Sequence, residues 1–380
     1  MFFLYKNILM RINIFTEVSG FSYGVFGKNL AIELNKQLEV CLIPAFYKLT
    51  CIEKNEVSAI EQMLIRTEKV SFNDIGLMFA NGDQMIRFCG RKKIGMTFFF
   101  TDVLTNSWIN QLKQLDMVCV PSQWQLEILK KYNINSAVVP PGVHLEIFKP
   151  SDKQRENLKF DETNKFKFFS IGKWDTRKNQ KIMIEAFCEE FSADEPVALY
   201  GMWDNPFMSK PLINEVLGCI SNKHKIYTHN NEERATIHLI NSVSSFQQLS
   251  KIYRDMHCAV FPYKSEATGL RLFECLACGI PCIATDYSAP AEYLNDTFVY
   301  LLKKNQKKLL KEEENYSKVE GYWVEPNKEE LKKTMRGIYN NYSAALAKAK
   351  IAVNEMKKMS WWHSANKLVN CILNVANKKK

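Results

Sequence analysis

The residues best suited to chemistry lie in one segment in the second half of the chain, residues 261–286. Its pattern predicts a strand that ends at Pro262, a polar loop, and a short helix that runs to about Cys278, where Gly279 and Pro281 end it. A helix that begins just beyond a parallel strand lies at the edge where an open α/β sheet binds ligands. The backbone N–H groups at such a helix start favour an anion, for example a diphosphate.

Two glutamates lie on either side of this helix start. Glu266 is in the loop and Glu274 is about a turn and a half into the helix, so both can accept hydrogen bonds from ribose or sugar hydroxyls. We expect Thr268, Gly269 and Leu270 to line the ligand, with Gly269 leaving room for the anion. Two carboxylates at this spacing also occur by chance as solvated or capping groups. The strand–loop–helix context favours a binding site.

A second group of charged residues follows another predicted strand, residues 166–171. After the turn at Gly172 come Lys173, Arg177 and Lys178. Fixed positive charge in a cleft is what a departing diphosphate needs. The alternative interpretation is a basic turn exposed to water, and the presence of the acidic segment in the same half of the chain makes that alternative weaker.

The first half offers fewer such residues. Gly20 and Gly24 precede a predicted helix over residues 25–35, in a position to leave room for a ligand. Asp102 follows the apolar run 93–99, which predicts a buried strand. Asp102 is therefore a candidate site residue, and equally a loop or helix cap.

The elements that position these residues alternate between strands and helices in both halves of the chain. Short apolar runs predict strands, and the runs between them have helical spacing, for example 123–132 with Ser122 as N-cap and Gln125 completing a capping box. This alternation predicts an α/β protein with doubly wound parallel sheets. The 380 residues exceed one ordinary core, and the polar stretch 150–165 is the predicted linker. We expect one domain over 1–150 and another beginning at 151.

Charge and cysteine content indicate which partners and which cellular compartment suit the protein. The net charge of +10 suits an anionic ligand, a nucleic acid or an anionic membrane surface, or simply lysine-rich solvated faces. The charged run 303–315 predicts such a solvated loop or helix face. The 11 cysteines are an odd number scattered through apolar stretches, which indicates buried thiols in a reducing compartment. No signal peptide or transmembrane run is evident, so we expect a cytoplasmic protein, with possible contact to a membrane surface.

The acidic segment resembles the E-x7-E signature of retaining glycosyltransferases of the GT-B fold, family 4, with Glu266 and Glu274 at its acidic positions. The basic segment is similar to that family's diphosphate-binding turn, with Lys173 and Lys178 at its cationic positions. The chain has Ala267 and Thr268 where the family usually has an aromatic or glycine pair, and Arg271 where it often has proline. The end of the chain, 359–380, resembles the family's terminal helix, which packs back on the first domain; this places Trp361 and Trp362 in packing.

The resemblance implies two Rossmann-like domains that face a central cleft, with the acceptor on the side of 1–150 and the donor on the side of 151–358. It implies transfer of a sugar from a nucleoside diphosphate sugar to the hydroxyl of a glycan, lipid-linked or protein-linked acceptor, with retention and without a metal. Glu266 would contact the sugar, Glu274 the ribose, and Lys173, Arg177 and Lys178 the diphosphate. Gly24 would face the donor. Many members have a histidine in the first domain, and Asp102 is its nearest polar replacement here.

Two alternatives remain open at this point. One is another GT-B nucleotide-sugar enzyme, such as an epimerase, which needs no acceptor. The other is a basic, non-catalytic binding protein. Because the basic residues are spread out and no helix-turn-helix pattern is present, we do not expect a nucleic acid partner.

Overall fold

The computed structural model describes residues 10–20, 22–47, 52–151, 165–192, 194–203, 236–310 and 320–378. These residues form two parallel sheets, each flanked by helices, and one small antiparallel hairpin. The α/β, doubly wound fold predicted from the sequence is confirmed.

The first sheet has six parallel strands in the order β2-β1-β3-β4-β5-β6. Its strands are β1 (Arg11–Val18), β2 (Glu39–Tyr47), β3 (Ile75–Phe79), β4 (Lys92–Met96), β5 (Met117–Val120) and β6 (Ser136–Val138). The helices between them are α1 (Ser22–Leu34), α2 (Lys54–Ile65), α3 (Asn106–Leu112) and α4 (Gln123–Lys131).

The second sheet has the order β12-β11-β10-β7-β8-β9. Its strands are β7 (Phe166–Ile171), β8 (Val197–Met202), β9 (Thr236–Leu239), β10 (Cys258–Phe261), β11 (Cys282–Thr285) and β12 (Tyr300–Leu302). The helices described here are α5 (Gln180–Glu190), α6 (Phe246–Asp255) and α7 (Leu270–Ala277), followed after the hairpin by α8 (Lys328–Asn340), α9 (Tyr342–Met356) and α10 (Trp361–Asn377).

The predicted turn chemistry at the end of α7 is confirmed. Gly279 has φ +70°, a left-handed conformation that glycine adopts at little cost. Its N–H bonds to the carbonyl of Leu276 at 3.0 Å, and the N–H of Ile280 bonds to that of Cys275 at 3.1 Å. These two bonds form a Schellman motif, which ends the helix and directs the chain into β11.

Two local predictions in the first domain were wrong in detail. Helix α1 begins at Ser22, so Gly24 lies inside the helix and not before it. A Cβ on Gly24 would lie 2.6 Å from the backbone nitrogen of Ser19, so glycine is required there for packing against the turn after β1. At α4, Ser122 accepts from the Gln125 amide at 3.2 Å as predicted, but the Gln125 side chain donates to the carbonyl of Phe99 instead of completing the box.

The charged run that begins at Lys303 is also corrected. Residues Lys304–Leu309 form strand β13, which pairs antiparallel with β14 (Tyr322–Pro326); residues 311–319 lie outside the described residues. The exposed lysines of β13 are solvated as expected, but on a hairpin strand.

Helix α10 packs on α1 of the first sheet's domain. Trp361 is buried, with its ring edge-on to Phe26 at 5.1 Å between centroids. Trp362 is 60% exposed, which corrects its predicted role in packing. The predicted linker falls almost wholly on residues 152–164, which lie outside the described residues, so the domain limits 1–150, 151–358 and 359–380 stay predictions. Within the described residues, no helix is long and apolar enough to cross a bilayer.

Candidate active site

The two sheets place ligand-binding edges against each other. A parallel α/β sheet forms a crevice where its strand order reverses, beyond the carboxyl ends of the strands. In the second sheet this point lies between β7 and β10, and in the first between β1 and β3. A cavity of about 50 Å³ lies where these edges meet, lined from one side by Gly20, Ser22 and Val25 and from the other by Lys178, Tyr263, Glu266, Thr268, Gly269, Leu270 and Arg271.

Glu266 lines this cleft. It follows β10 and is 5% exposed. Its Oε2 accepts hydrogen bonds from Arg177 Nη1 at 2.9 Å and from Lys178 Nζ. Its Oε1 accepts from the amides of Ala267 at 3.0 Å and Thr268 at 3.4 Å. The structure thus joins the acidic and basic segments that the sequence identified separately.

The charges in this cluster shift one another's pKa. Burial alone would raise the pKa of Glu266, but the Lys178 ammonium and the Arg177 guanidinium outweigh it and hold that pKa below its ordinary value. Burial lowers the pKa of Lys178, and the Glu266 carboxylate opposes that shift. The cluster is therefore two cations around one carboxylate, with an excess positive charge that suits an anion.

Lys173 lies in the turn after β7 and pairs with Asp175. Its side chain is 40% exposed, and its Nζ is 3.3 Å from Asp175 Oδ2. Asp175 also accepts from the amide of Arg177 at 2.9 Å, which shapes the turn after β7. The predicted pair of lysines is thus divided: Lys178 lines the cleft beside Glu266, and Lys173 pairs with Asp175.

Helix α7 directs its N-terminus into the cavity. Gly269 is the N-cap with φ +75°, and a Cβ there would lie 3.0 Å from Pro290. Thr268, Gly269 and Leu270 all line the cavity, and their contact with a ligand stays a prediction. The positive end of the helix dipole therefore adds to the field of Arg177 and Lys178.

Glu274 lies further along the same helix and is 4% exposed. Tyr253 on α6 donates its hydroxyl to Glu274 Oε2 at 2.9 Å, and Arg271 Nη1 lies 3.1 Å from Oε1 and 2.9 Å from Oε2. Burial raises the pKa of Glu274, and the Arg271 charge and the Tyr253 hydrogen bond counter that shift.

Asp102 and Gly24 lie apart from this cluster. Asp102 Oδ1 accepts from the Tyr322 amide on β14 at 2.8 Å, and its Oδ2 is 3.8 Å from Lys307 Nζ on β13. Asp102 therefore holds the hairpin against the first domain, and its role near the donor stays a prediction. Gly24 packs on Ser19, while its neighbours Ser22 and Val25 line the cavity.

Sequence reasoning missed three side chains at this site. Arg271 and Glu274 are three apart on a predicted helix, a spacing that favours an ion pair and that could have been recognised. Tyr263 places its ring 4.7 Å from Lys178 Nζ, and Phe100 places its ring 4.7 Å from the Arg177 guanidinium carbon. No local sequence pattern predicts these cation–π contacts, because they join residues that are distant in the sequence.

Comparison with known proteins identifies the family. Residues 150–355 match the model of the family described as Glycosyl transferases group 1, and this is more than half of the chain. The chain belongs to this family. It is therefore a glycosyltransferase, and the cleft lies where its matched domain faces the first sheet. Among curated proteins, none matches the sequence significantly.

Solved structures share the fold of this glycosyltransferase. Sucrose-phosphate synthase from Thermosynechococcus elongatus matches 97% of this chain and 99% of its own, with a TM-score of 0.70 and 12% identity. Anabaena HepE in complex with UDP-glucose matches 96% of this chain and 100% of its own, with a TM-score of 0.68 and 12% identity. WaaG, a glycosyltransferase involved in lipopolysaccharide biosynthesis, matches 95% and 99%, with a TM-score of 0.61 and 13% identity. At such identities the likeness shows a shared GT-B architecture.

Proposed function

We propose that this glycosyltransferase takes a nucleoside diphosphate sugar as donor and transfers the sugar, with retention of configuration as in family 4, to the hydroxyl of a glycan, lipid-linked or protein-linked acceptor. The observation that carries the proposal is the Glu266 cluster: a buried carboxylate between Arg177 and Lys178, next to the N-terminus of α7. A diphosphate leaving group requires positive charge at this kind of position.

Each charged residue of the cleft has a role in this proposal. Lys178 and Arg177, with the amides of Gly269 and Leu270, stabilise the negative charge that develops on the departing diphosphate. Lys173 meets the diphosphate from the solvent side of the cleft. Glu266 positions these cations and contacts the sugar, while Glu274 accepts hydrogen bonds from the ribose.

The cations also bear on the metal requirement. Fixed ammonium and guanidinium groups can neutralise a diphosphate as a divalent cation does, so we propose that transfer proceeds without a metal. Retention is compatible with attack on the face that the diphosphate leaves, with a leaving phosphate oxygen accepting the proton of the acceptor hydroxyl.

HepE has the same fold and was solved in complex with UDP-glucose, which supports a nucleotide sugar as the donor. The acceptor would enter from the first domain. We further propose a cytoplasmic location, with the excess of positive charge favouring contact with an anionic membrane surface that carries the acceptor.

The test is a thermal-shift panel of UDP-, GDP-, ADP- and dTDP-sugars, with and without EDTA. A ligand that binds the folded state raises Tm in proportion to the logarithm of its concentration over Kd. We expect one nucleotide to raise Tm, equally in EDTA. Lys178→Met should abolish that shift. Lys328→Met, which removes a remote ion pair to Glu189 of 2.6 Å, should leave it intact.

Turnover then separates the enzyme classes. Incubation with the identified donor alone should leave its sugar unchanged, whereas an epimerase would convert it. With an acceptor present, the anomeric configuration of the product, measured by NMR, should equal that of the donor. Absence of any nucleotide shift, or an inverted product, would contradict the proposal.

A further inference from the structure

Arg271 connects the two walls of the cleft. It is the second residue of α7, and its Nη2 lies 3.4 Å from the carbonyl oxygen of Gly20, in the turn after β1 of the first domain. The same guanidinium lies 5.9 Å from the ring of Phe246 and lines the cavity. One side chain of the second domain thus contacts the loop of the first domain that faces the ligand edge.

The Arg271 side chain also takes up hydrogen-bond acceptor positions of the Glu274 carboxylate. A carboxylate offers about four lone-pair positions for hydrogen bonds. Three contacts with Glu274 are formed here, two with Arg271 Nη1 and one with the Tyr253 hydroxyl. A ribose diol needs two positions, so it cannot bind this carboxylate fully while the guanidinium remains in place.

The ion pair also has an energetic reason to persist whenever no donor is bound. Glu274 is 4% exposed, and a buried carboxylate without a partner is costly. Arg271, whose side chain is 25% exposed, provides that partner and can still move toward solvent. Its position lies in the first turn of α7, where a side chain can leave the carboxylate without disturbing the helix.

We propose that Arg271 is a specificity-determining gate on the donor site: it occupies Glu274 and ties α7 to Gly20 until the ribose of the donor displaces it. This inference rests on the proposed function, because it assigns the ribose to Glu274. Ligands that offer two hydroxyls to the carboxylate replace the ion pair with hydrogen bonds, whereas ligands that lack them leave the gate closed. The gate therefore selects for an intact ribose.

The test compares Arg271→Met with wild type by isothermal titration of UDP, GDP, ADP and dTDP. The variant should bind its nucleoside diphosphate about tenfold more tightly, roughly the value of one charge-assisted hydrogen bond no longer displaced. Its Tm without ligand should fall, since Glu274 loses its cationic partner. A purely structural role would weaken binding and stability together, so the opposite signs are diagnostic.

Discrimination by the ribose is the second readout. Wild type should prefer a ribonucleotide, such as UDP, over its 2′-deoxy analogue, and Arg271→Met should reduce that preference. Arg336→Met is the matched control: it removes an arginine held by Glu190 at 2.8 Å, far from the cleft. It should lower Tm without changing either Kd.

The outcomes separate this inference from the proposed function. If wild type binds a nucleotide and Arg271→Met binds it equally or more weakly, the gate is refuted while the donor assignment stands. If neither protein binds any nucleotide, the donor assignment fails and the gate fails with it. Tighter binding in the variant together with a lower Tm supports both.

Discussion

Glu266 and Glu274 lie eight residues apart and are both buried, yet their pKa values move in opposite directions. Two cations surround Glu266 and hold its pKa below the ordinary value, while burial prevails over one arginine and one phenol at Glu274 and raises its pKa. The number of neighbouring cations therefore decides the direction of each shift, and Glu266 stays ionised at neutral pH. Glu274 is the carboxylate whose charge depends on its partners.

Replacing Glu266 with glutamine should therefore lower the free energy of unfolding by more than the loss of one hydrogen bond would. Arg177 and Lys178 would face each other without the intervening carboxylate, and removal of one partner from a buried ion pair destabilises by about 3 kcal/mol. We expect a clear fall in the midpoint of urea unfolding, together with loss of transfer.

Glu189→Gln is the matched control, because Glu189 pairs with Lys328 at a 30% exposed position. Such a pair is worth about 0–1 kcal/mol. Equal losses of stability in the two variants would contradict the role given to the Glu266 cluster.

At this scale the sequence identified the charged residues but not their partners. Lys178, Arg177 and Glu266 were recognised because they follow predicted strands beside glycine turns. Their direct contact depends on β7 and β10 being neighbours, which results from the crossover order of the sheet. The contact between Tyr253 and Glu274 has the same origin, since it joins helices α6 and α7 across the sheet's face.

Among the elements, helix α7 shows how backbone conformation positions chemistry. Gly269 begins the helix with φ +75° and lies against Pro290. Gly337 lies within α8, and a Cβ added there would meet no atom within 4 Å. The two glycines should therefore respond oppositely to the same substitution.

Gly269→Ala should destabilise the protein by about 1–2 kcal/mol, because alanine disfavours the left-handed conformation, and it should weaken nucleotide binding at the displaced helix start. Gly337→Ala should stabilise by about 0.5–1 kcal/mol through helix propensity and leave binding unchanged. Urea unfolding and thermal shift measure both effects. A stabilised Gly269→Ala variant would show that the strain assigned to this position is absent.

Element prediction succeeded where local chemistry decides and failed where distant contacts decide. Most strands of both sheets follow from apolar runs, and the end of α7 follows from Gly279 and Pro281. Strands β9 and β12 were not predicted. The start of α1 was misplaced because Gly24 was taken as a loop residue. Gly24 lies inside the helix, and glycine is needed there because it packs closely on Ser19. The sequence of β13 is a charged run that predicts a solvated loop or helix face. It forms a strand because it pairs with β14.

In the whole molecule, His144 joins the two domains. Its Nε2 lies 2.8 Å from Asn29 Oδ1 on α1, and its ring is 5.6 Å from Phe246 on α6. Burial, and next the Lys28 ammonium, lower the pKa of His144 to about 4 from its ordinary 6.5. Between these values the unfolded chain binds more protons than the folded one, so stability falls as pH falls.

We therefore expect Tm to drop between pH 7 and pH 4.5, with the His144 share worth about 2 kcal/mol. His144→Gln keeps a donor for Asn29 without titrating, so its Tm should depend less on pH over this range. An unchanged pH dependence in the variant would remove His144 as the cause.

The position of α10 has a consequence for biosynthesis. Strand β6 closes the first sheet at Val138, but the helix that covers α1 begins at Trp361, more than 200 residues later. At ribosomal rates of about 5–20 residues per second, the nascent first domain waits roughly 10–45 s for its last packing partner. During that interval the apolar surface around Phe26 is open to chaperones, and ribosome-bound chains that end before Trp361 should be the protease-sensitive ones.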